Sequence, residues 1–366
     1  MSGTETIFIS LVDDDNNKKK YLVALDKATN ILKNDGLVAF PTETVYGLGA
    51  NALKEKAVSK IFKAKGRPAD NPLIVHISNF KQLDLISKNI PQDALKLMDY
   101  FFPGALTIVL QKSDLVPYIT SGGLETVAVR MPNNRLAIDL INRCGFPIAA
   151  PSANKSTKPS PTSGEHVMQD FNGLIEMVID AGRCEHGIES TVVQVLEEET
   201  IILRPGSITK EMLEQVVDKV SLSGAILNDL EETSVKSPGV KYKHYAPKGE
   251  VCILNYKNKC DLIIYLNKNL YDSYDSMDST KFFISQEVFD IVNRDLNNDN
   301  LINNVFIMGS EKDLSSIGSN IFYLLRECDR LDIKKIYVQA IEEEGLGLAI
   351  MNRLKKASSG NIINID

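Results

Sequence analysis

FPTETVYGLGANA, residues 40–52, admits two architectures. Gly47, Gly49 and Ala52 fit the G-x-G-x-x-A spacing of a dinucleotide fingerprint, with Asp70 roughly where its ribose-binding acid would fall. That fingerprint needs a glycine turn set directly between a strand and a helix. Here the polar run PTETVY stands before the glycines, so a contact loop for a small molecule is the better reading. Thr42 and Glu43, taken singly, also fit a plain surface turn.

Short β-rich runs extend outward from this stretch: GLVAF (36–40), PLIVHI (72–77), LTIVL (106–110), TVAVRM (126–131), PIAA (147–150), EMVIDAG (176–182), STVVQVL (190–196) and IILRPG (201–206). Helical spacing appears between them in EKAVSKIFKAKG, DALKLMDYFF and NRLAIDLINRCG, the last stopped by Gly145. Apolar periodicity lapses over 221–249. It resumes in EVCILNY, DLIIYLN, KFFIS, NVFIMGS and KKIYVQA, with helices at LSSIGSNIFYLLRECDRL and GLGLAIMNRLKKAS. The pattern predicts an α/β catalytic domain over 1–218, a linker over 219–249 and a smaller Rossmann-like α/β domain over 250–366.

The 366 residues carry a net charge of −7, which argues against a general nucleic-acid binder. No apolar run approaches the ~18 residues that would span a membrane, and the N-terminus shows no signal pattern, so a cytoplasmic protein is expected. Five cysteines without a Cys-x-x-Cys pair predict buried thiols rather than disulfides or zinc. The four histidines form no metal-ligand cluster in sequence, and no bound metal is expected.

The chemistry-bearing residues are cations, hydroxyls and glycines. Lys63, Lys65 and Arg67 crowd a helix end that Gly66 and Pro68 turn, although cations there also suit the helix dipole. Three cations on one loop suit a phosphate chain, and no Walker A sequence is present to hold one by backbone. His76 alternates with apolar neighbours and could be a satisfied core histidine. Arg130 sits inside an apolar strand, where its charge needs a carboxylate from protein or ligand. Ser152 and Asn154 follow a strand end, where α/β ligand sites gather, and the loop after them could equally be a mobile surface segment. Glu189, Ser190 and Thr191 open one strand, and Arg204 lies in another. No nucleophile–base pair stands out. This inventory suits a reaction whose substrates supply nucleophile and electrophile while the protein supplies position and charge.

PTETVYGLG, KAKGRP…NPLIVHI, FFPGALTIVL, VAVRMP, PIAAPSANKS…SPT, GIESTVV and ILRPG together resemble the YrdC/Sua5 family of L-threonylcarbamoyladenylate synthases. SPGVKYKHYAPKGEV (237–251) and the tail YLLRECDRLD…GLGLAIMNRLKKA resemble its two-domain Sua5 form. The resemblance implies a YrdC-like twisted mixed sheet flanked by helices. It also implies synthesis of threonylcarbamoyl-AMP and pyrophosphate from L-threonine, bicarbonate and ATP, for the t6A modification at position 37 of tRNAs reading ANN codons. Thr44, His76, Arg130, Ala150 and Ser190 would then border threonine. Lys65 and Arg67, as catalytic phosphate-holding cations, would be joined at ATP by Asn71, Thr126, Ser152, Asn154, Ser160 and Arg204. Mg²⁺ would ride on the ATP phosphates, and a downstream threonylcarbamoyl-transferase machinery would receive the product, with a weak tRNA contact compatible. Tyr242 and Tyr245, in the linker, would fold over the nucleotide as a lid, or else pin the linker to a domain surface. Rival readings are an RNA platform, a carbamoyl-adenylate enzyme of hydrogenase maturation, which would carry paired cysteines, and a small-molecule sensor without turnover.

Overall fold

In the computed structural model, residues 5–12, 18–227, 245–272, 279–296 and 304–366 are described. The chain divides by contacts into one unit of Met1–Ser156 with Ser160–Tyr242 and a second of Thr157–Pro159 with Lys243–Asp366.

The first unit contains β1 (Ile7–Ser10), β2 (Val38–Phe40), β3 (Gly47–Asn51), β4 (Ile74–His76), β5 (Leu106–Gln111), β6 (Thr126–Arg130), β7 (Ile148–Ala149), β8 (Met177–Asp180), β9 (Thr191–Val195), β10 (Thr200–Arg204) and β11 (Val220–Leu222). They form one mixed sheet in the order β1-β8-β2-β3-β7-β4-β6-β5-β9-β10-β11. Successive strand residues point to opposite faces, and here both faces are covered. Val38 and Phe40 pack in one core with helices Lys18–Lys33 and Arg135–Cys144. Ala39 packs in the other, with helices Glu55–Lys65 and Gln92–Phe101. Because both faces are buried, these strands read as continuous apolar runs rather than alternating ones.

The glycines of YGLGANA lie in strand β3, between β2 and β7. A Cβ on Gly49 would stand 2.7 Å from the Phe40 ring and 3.0 Å from Ile148. Close packing within the sheet therefore explains this glycine, and the dinucleotide reading falls. The expected end of the first domain at 218 also moves, because β11 pairs in parallel with β10.

The second unit holds β12 (Glu250–Tyr256), β13 (Thr280–Ser285), β14 (Val305–Gly309), β15 (Lys335–Gln339) and β16 (Ile362–Ile365), all parallel, in the order β14-β13-β15-β12-β16. DLIIYLN, grouped with the strand-like runs in the sequence, lies inside helix Lys259–Asp272. A short apolar run does not separate strand from helix. The parallel step from β12 to β13 requires a crossover helix, and this is it. Of the five cysteines, Cys144, Cys184 and Cys328 are buried, Cys252 is half-buried and Cys260 is exposed, all as free thiols. Among the described residues no helix is long and apolar enough to cross a membrane.

Candidate active site

The segment Thr42–Val45 closes on itself before β3. Thr42 Oγ1 donates to the Val45 carbonyl at 2.7 Å and accepts from the Thr44 and Val45 N–H groups. This hydroxyl turn buries Glu43 and Thr44 rather than exposing them, so the surface-turn alternative for Glu43 fails.

Arg130 ends β6, and His76 ends β4, its direct register partner in the neighbouring parallel strand. The guanidinium is 3 % exposed. Its Nε donates to Gly104 O at 3.1 Å and its Nη1 to Thr44 Oγ1 at 2.8 Å, while Nη2 lies 2.7 Å from Glu43 Oε2. Burial alone would raise the Glu43 carboxyl, but the Arg130 charge and then the nearby Asn133 N–H bring it below the ordinary range, so it is ionised. The Arg130–Glu43 contact is a close charge pair whose N–H groups are poorly aligned on the carboxylate, so that neither Nη2 nor either oxygen makes a well-formed hydrogen bond. His76 is pushed down to about 3, first by burial and then by the Arg130 charge, and its Nδ1 has no hydrogen-bond partner. It is therefore a neutral imidazole at physiological pH.

Ser190 stands just before β9, with its Oγ 2.8 Å from Thr107 Oγ1 in β5. Arg204 donates through Nε and Nη2 to Ser190 O at 3.1 and 2.9 Å, and through Nη2 to Ser190 Oγ at 3.2 Å. Arg204 thus fixes Ser190, a task the sequence reading had not given it. Ala150 donates its N–H to Ile74 O at 2.9 Å.

A second group gathers around Lys65, the last residue of helix Glu55–Lys65, which Gly66 stops in the left-handed conformation. Lys65 Nζ donates to Ser152 O at 2.5 Å and Asn154 O at 2.6 Å. Ser152 Oγ donates to Asn154 Oδ1. The Lys-x-Arg and Ser-x-Asn pairs, 87 residues apart along the chain, therefore meet in space. Arg67 is half-buried and donates to Pro72 O at 3.1 Å. Asn71 is buried just before β4, and its Oδ1 has no partner. Thr126 opens β6, the strand beside β4. Arg67, Asn71 and Thr126 thus lie toward the start of β4 and β6, while His76 and Arg130 mark the ends of the same strands. Ser160 Oγ donates to Glu189 Oε1 at 2.6 Å.

Asp180, quoted in the sequence only as part of a strand, ties these loops together. It accepts from Tyr46 Oη (2.9 Å), Gly164 N (3.1 Å), Gly182 N (3.2 Å) and Ser10 Oγ (3.1 Å). A Cβ on Gly164 would collide with it at 2.5 Å. Tyr46 in turn bonds Pro161 O and Ala153 N through its backbone, and His186 N donates to Glu43 O. Only its place after VI at a strand end hinted at Asp180, since nothing in the sequence pairs it with Tyr46.

Tyr245 is buried in the second unit with its ring stacked on Phe322, centroids 5.0 Å apart, and its φ is +67°. Its ring packs there against the second unit's own core. Tyr242 and His244 lie outside the described residues.

A family model named for Sua5, YciO and YrdC, described as telomere recombination, matches residues 30–206. A second, described as the C-terminal domain of threonylcarbamoyl-AMP synthase, matches 208–359. The chain belongs to the Sua5/YrdC family. It is 44 % identical to the threonylcarbamoyl-AMP synthase of Pyrococcus abyssi, over 92 % of this chain and 95 % of the relative. It is 41 % identical to that of Bacillus subtilis, over 92 % and 93 %. The crystal structure of P. abyssi Sua5 complexed with L-threonine superposes with a TM-score of 0.86, covering 99 % of this chain and all of that one. The mixed sheet and second α/β unit expected of the Sua5/YrdC fold are both present.

Proposed function

We propose that the chain is a threonylcarbamoyl-AMP synthase. It converts L-threonine, bicarbonate and ATP into threonylcarbamoyl-AMP and pyrophosphate, for t6A modification of tRNAs reading ANN codons. The observation that carries the reading is the buried set around Arg130. A guanidinium, two threonine hydroxyls and a neutral imidazole at the ends of adjacent strands suit a small hydroxylated amino acid.

In this reading Arg130 grips the α-carboxylate of threonine. His76, neutral and with an unpartnered nitrogen, meets the side-chain hydroxyl, joined by Thr44 and Ser190. The Ala150 carbonyl accepts from the amine. Bicarbonate gives up hydroxide to become CO₂; the free amine nitrogen then bonds to that carbon as one C=O π bond opens, and the proton lost from nitrogen joins the hydroxide as water, leaving a carbamate. A carbamate oxygen then attacks the α-phosphorus of ATP, and the bond to the bridging oxygen breaks as pyrophosphate leaves. Lys65 and Arg67 hold the charge that develops on the leaving group, and Asn71, Thr126, Ser152, Asn154, Ser160 and Arg204 complete the nucleotide side. No group of His, Cys, Asp or Glu side chains among the described residues could hold a metal. In this reading Mg²⁺ is carried by the ATP phosphates, and no step here is routed through it. The product passes to a transferase acting on tRNA. Tyr242 remains assigned to the nucleotide; Tyr245 supports the linker by packing.

Substrate selectivity tests the pocket. Serine lacks one methyl group, a loss of about 1–3 kcal/mol or 10–200-fold in kcat/KM. Valine lacks the hydroxyl and leaves the buried His76 Nδ1 unpaired, so its loss approaches about 10⁴-fold. Pyrophosphate release with each amino acid measures both. Equal use of valine and threonine would remove the hydroxyl pocket.

A further inference from the structure

The Arg130–Glu43 contact leaves something over. Glu43 is 4 % exposed and ionised, with Arg130 Nη2 at 2.7 Å and the Asn133 N–H nearby, yet neither of its oxygens receives a well-aligned hydrogen bond. A carboxylate has about four acceptor positions, and leaving most of them without an aligned donor in a buried site is costly. Arg130 balances the charge at 2.7 Å without supplying an aligned N–H. The same guanidinium is the group assigned to the α-carboxylate of threonine. An amino acid whose carboxylate sits on Arg130 carries its ammonium only two bonds further along, beside the carbon that bears the carboxylate.

We propose that Glu43 is the ammonium subsite of the amino-acid pocket: its unsatisfied carboxylate accepts hydrogen bonds from the α-amino group of threonine and fixes that nitrogen for carbamoylation. The inference rests on the threonine reading of the Arg130 pocket and adds to it a specificity residue. Arg130 and Glu43 then read the two ends of a zwitterion. The pocket rejects carboxylic acids that lack the amine, because they leave Glu43 facing an anion with no donor between them. Three neighbouring features hold Glu43 in place. The Thr42 hydroxyl turn fixes its backbone, His186 N donates to its carbonyl at 2.8 Å, and Arg130 sets its charge.

The test compares L-threonine with (R)-3-hydroxybutyrate, which keeps the carboxylate, hydroxyl and methyl and lacks only the amine. Dissociation constants are measured by calorimetry on the full chain. The wild type is expected to favour threonine strongly. In Glu43→Gln, threonine affinity should fall about thirtyfold or more, as for loss of one partner of a buried charge pair. Affinity for 3-hydroxybutyrate should stay level or improve, since a negative charge near its carboxylate is gone. Equal weakening of both ligands, or no change in either, would overturn the proposal. Should Glu43→Gln fail to fold, Glu43→Asp keeps the charge but withdraws it by one methylene. It should weaken threonine alone by several-fold, and an unchanged ratio between the two ligands overturns the proposal equally. Arg130→Ala separates this failure from failure of the pocket itself. Loss of both ligands upholds the pocket, while retained binding of both removes the pocket and the Glu43 subsite together.

Discussion

Arg67→Ala is expected to fold normally and to lose about 10²–10³-fold in the rate of pyrophosphate release, the usual cost of removing one preorganised group that stabilises developing charge. Arg67 is the cleaner of the two cations to test. It is half-buried, and its Nη2 donates to neighbouring carbonyls, Asn71 O and Pro72 O. Lys65→Ala should lose at least as much activity and also loosen the loop, because its ammonium joins the Ser152 and Asn154 carbonyls across 87 residues. Lys65→Ala should therefore raise the KM for ATP, while Arg67→Ala acts mainly on kcat. Circular dichroism checks the fold and initial-rate kinetics the two parameters. Full activity in both variants would remove the phosphate assignment.

Arg130→Ala has the second large effect, on stability as well as on activity. It deletes the carboxylate grip and leaves Glu43 a buried charge without a counterion. Breaking one side of a buried pair costs about 3–5 kcal/mol, most of it the penalty on the orphaned partner. The double variant Arg130→Ala/Glu43→Gln should regain most of that stability, because it removes the orphaned charge, and should regain none of the threonine-dependent activity. Urea midpoints report the first and pyrophosphate release the second. If the double variant stays as unstable as the single one, the pair is not what destabilises it.

Much of this was legible in the chain. The buried strands announced themselves as apolar runs, because both faces of the large sheet are covered, as Val38 and Phe40 against Ala39 show. Arg130 in an apolar strand demanded a carboxylate, and the structure supplies Glu43. The resemblance placed Lys65 with Ser152 and Asn154, and their hydrogen bonds give that pairing a physical form.

What stayed hidden depends on contacts distant in sequence. A plain surface turn stayed open as an alternative for Glu43 because its burial comes from a local hydroxyl turn and from the segment around His186. Asp180 was invisible as a node because its four donors come from positions 10, 46, 164 and 182. YGLGANA offered its competing dinucleotide reading for a different reason. Glycines that permit close packing of β3 against Phe40 and Ile148 have the same spacing as glycines that cradle a pyrophosphate. DLIIYLN could be either strand or helix until the parallel order of the second sheet required a crossover.

The central claim is that this pocket carboxylates threonine and adenylates the product. Incubation with ATP, L-threonine and ¹³C-bicarbonate, followed by mass spectrometry of the nucleotide products, tests it most directly. The account predicts a threonylcarbamoyl-AMP that carries one labelled carbon, formed in step with pyrophosphate and absent when threonine is omitted. Pyrophosphate released at an undiminished rate without threonine, or an adenylate that carries no label, would contradict it.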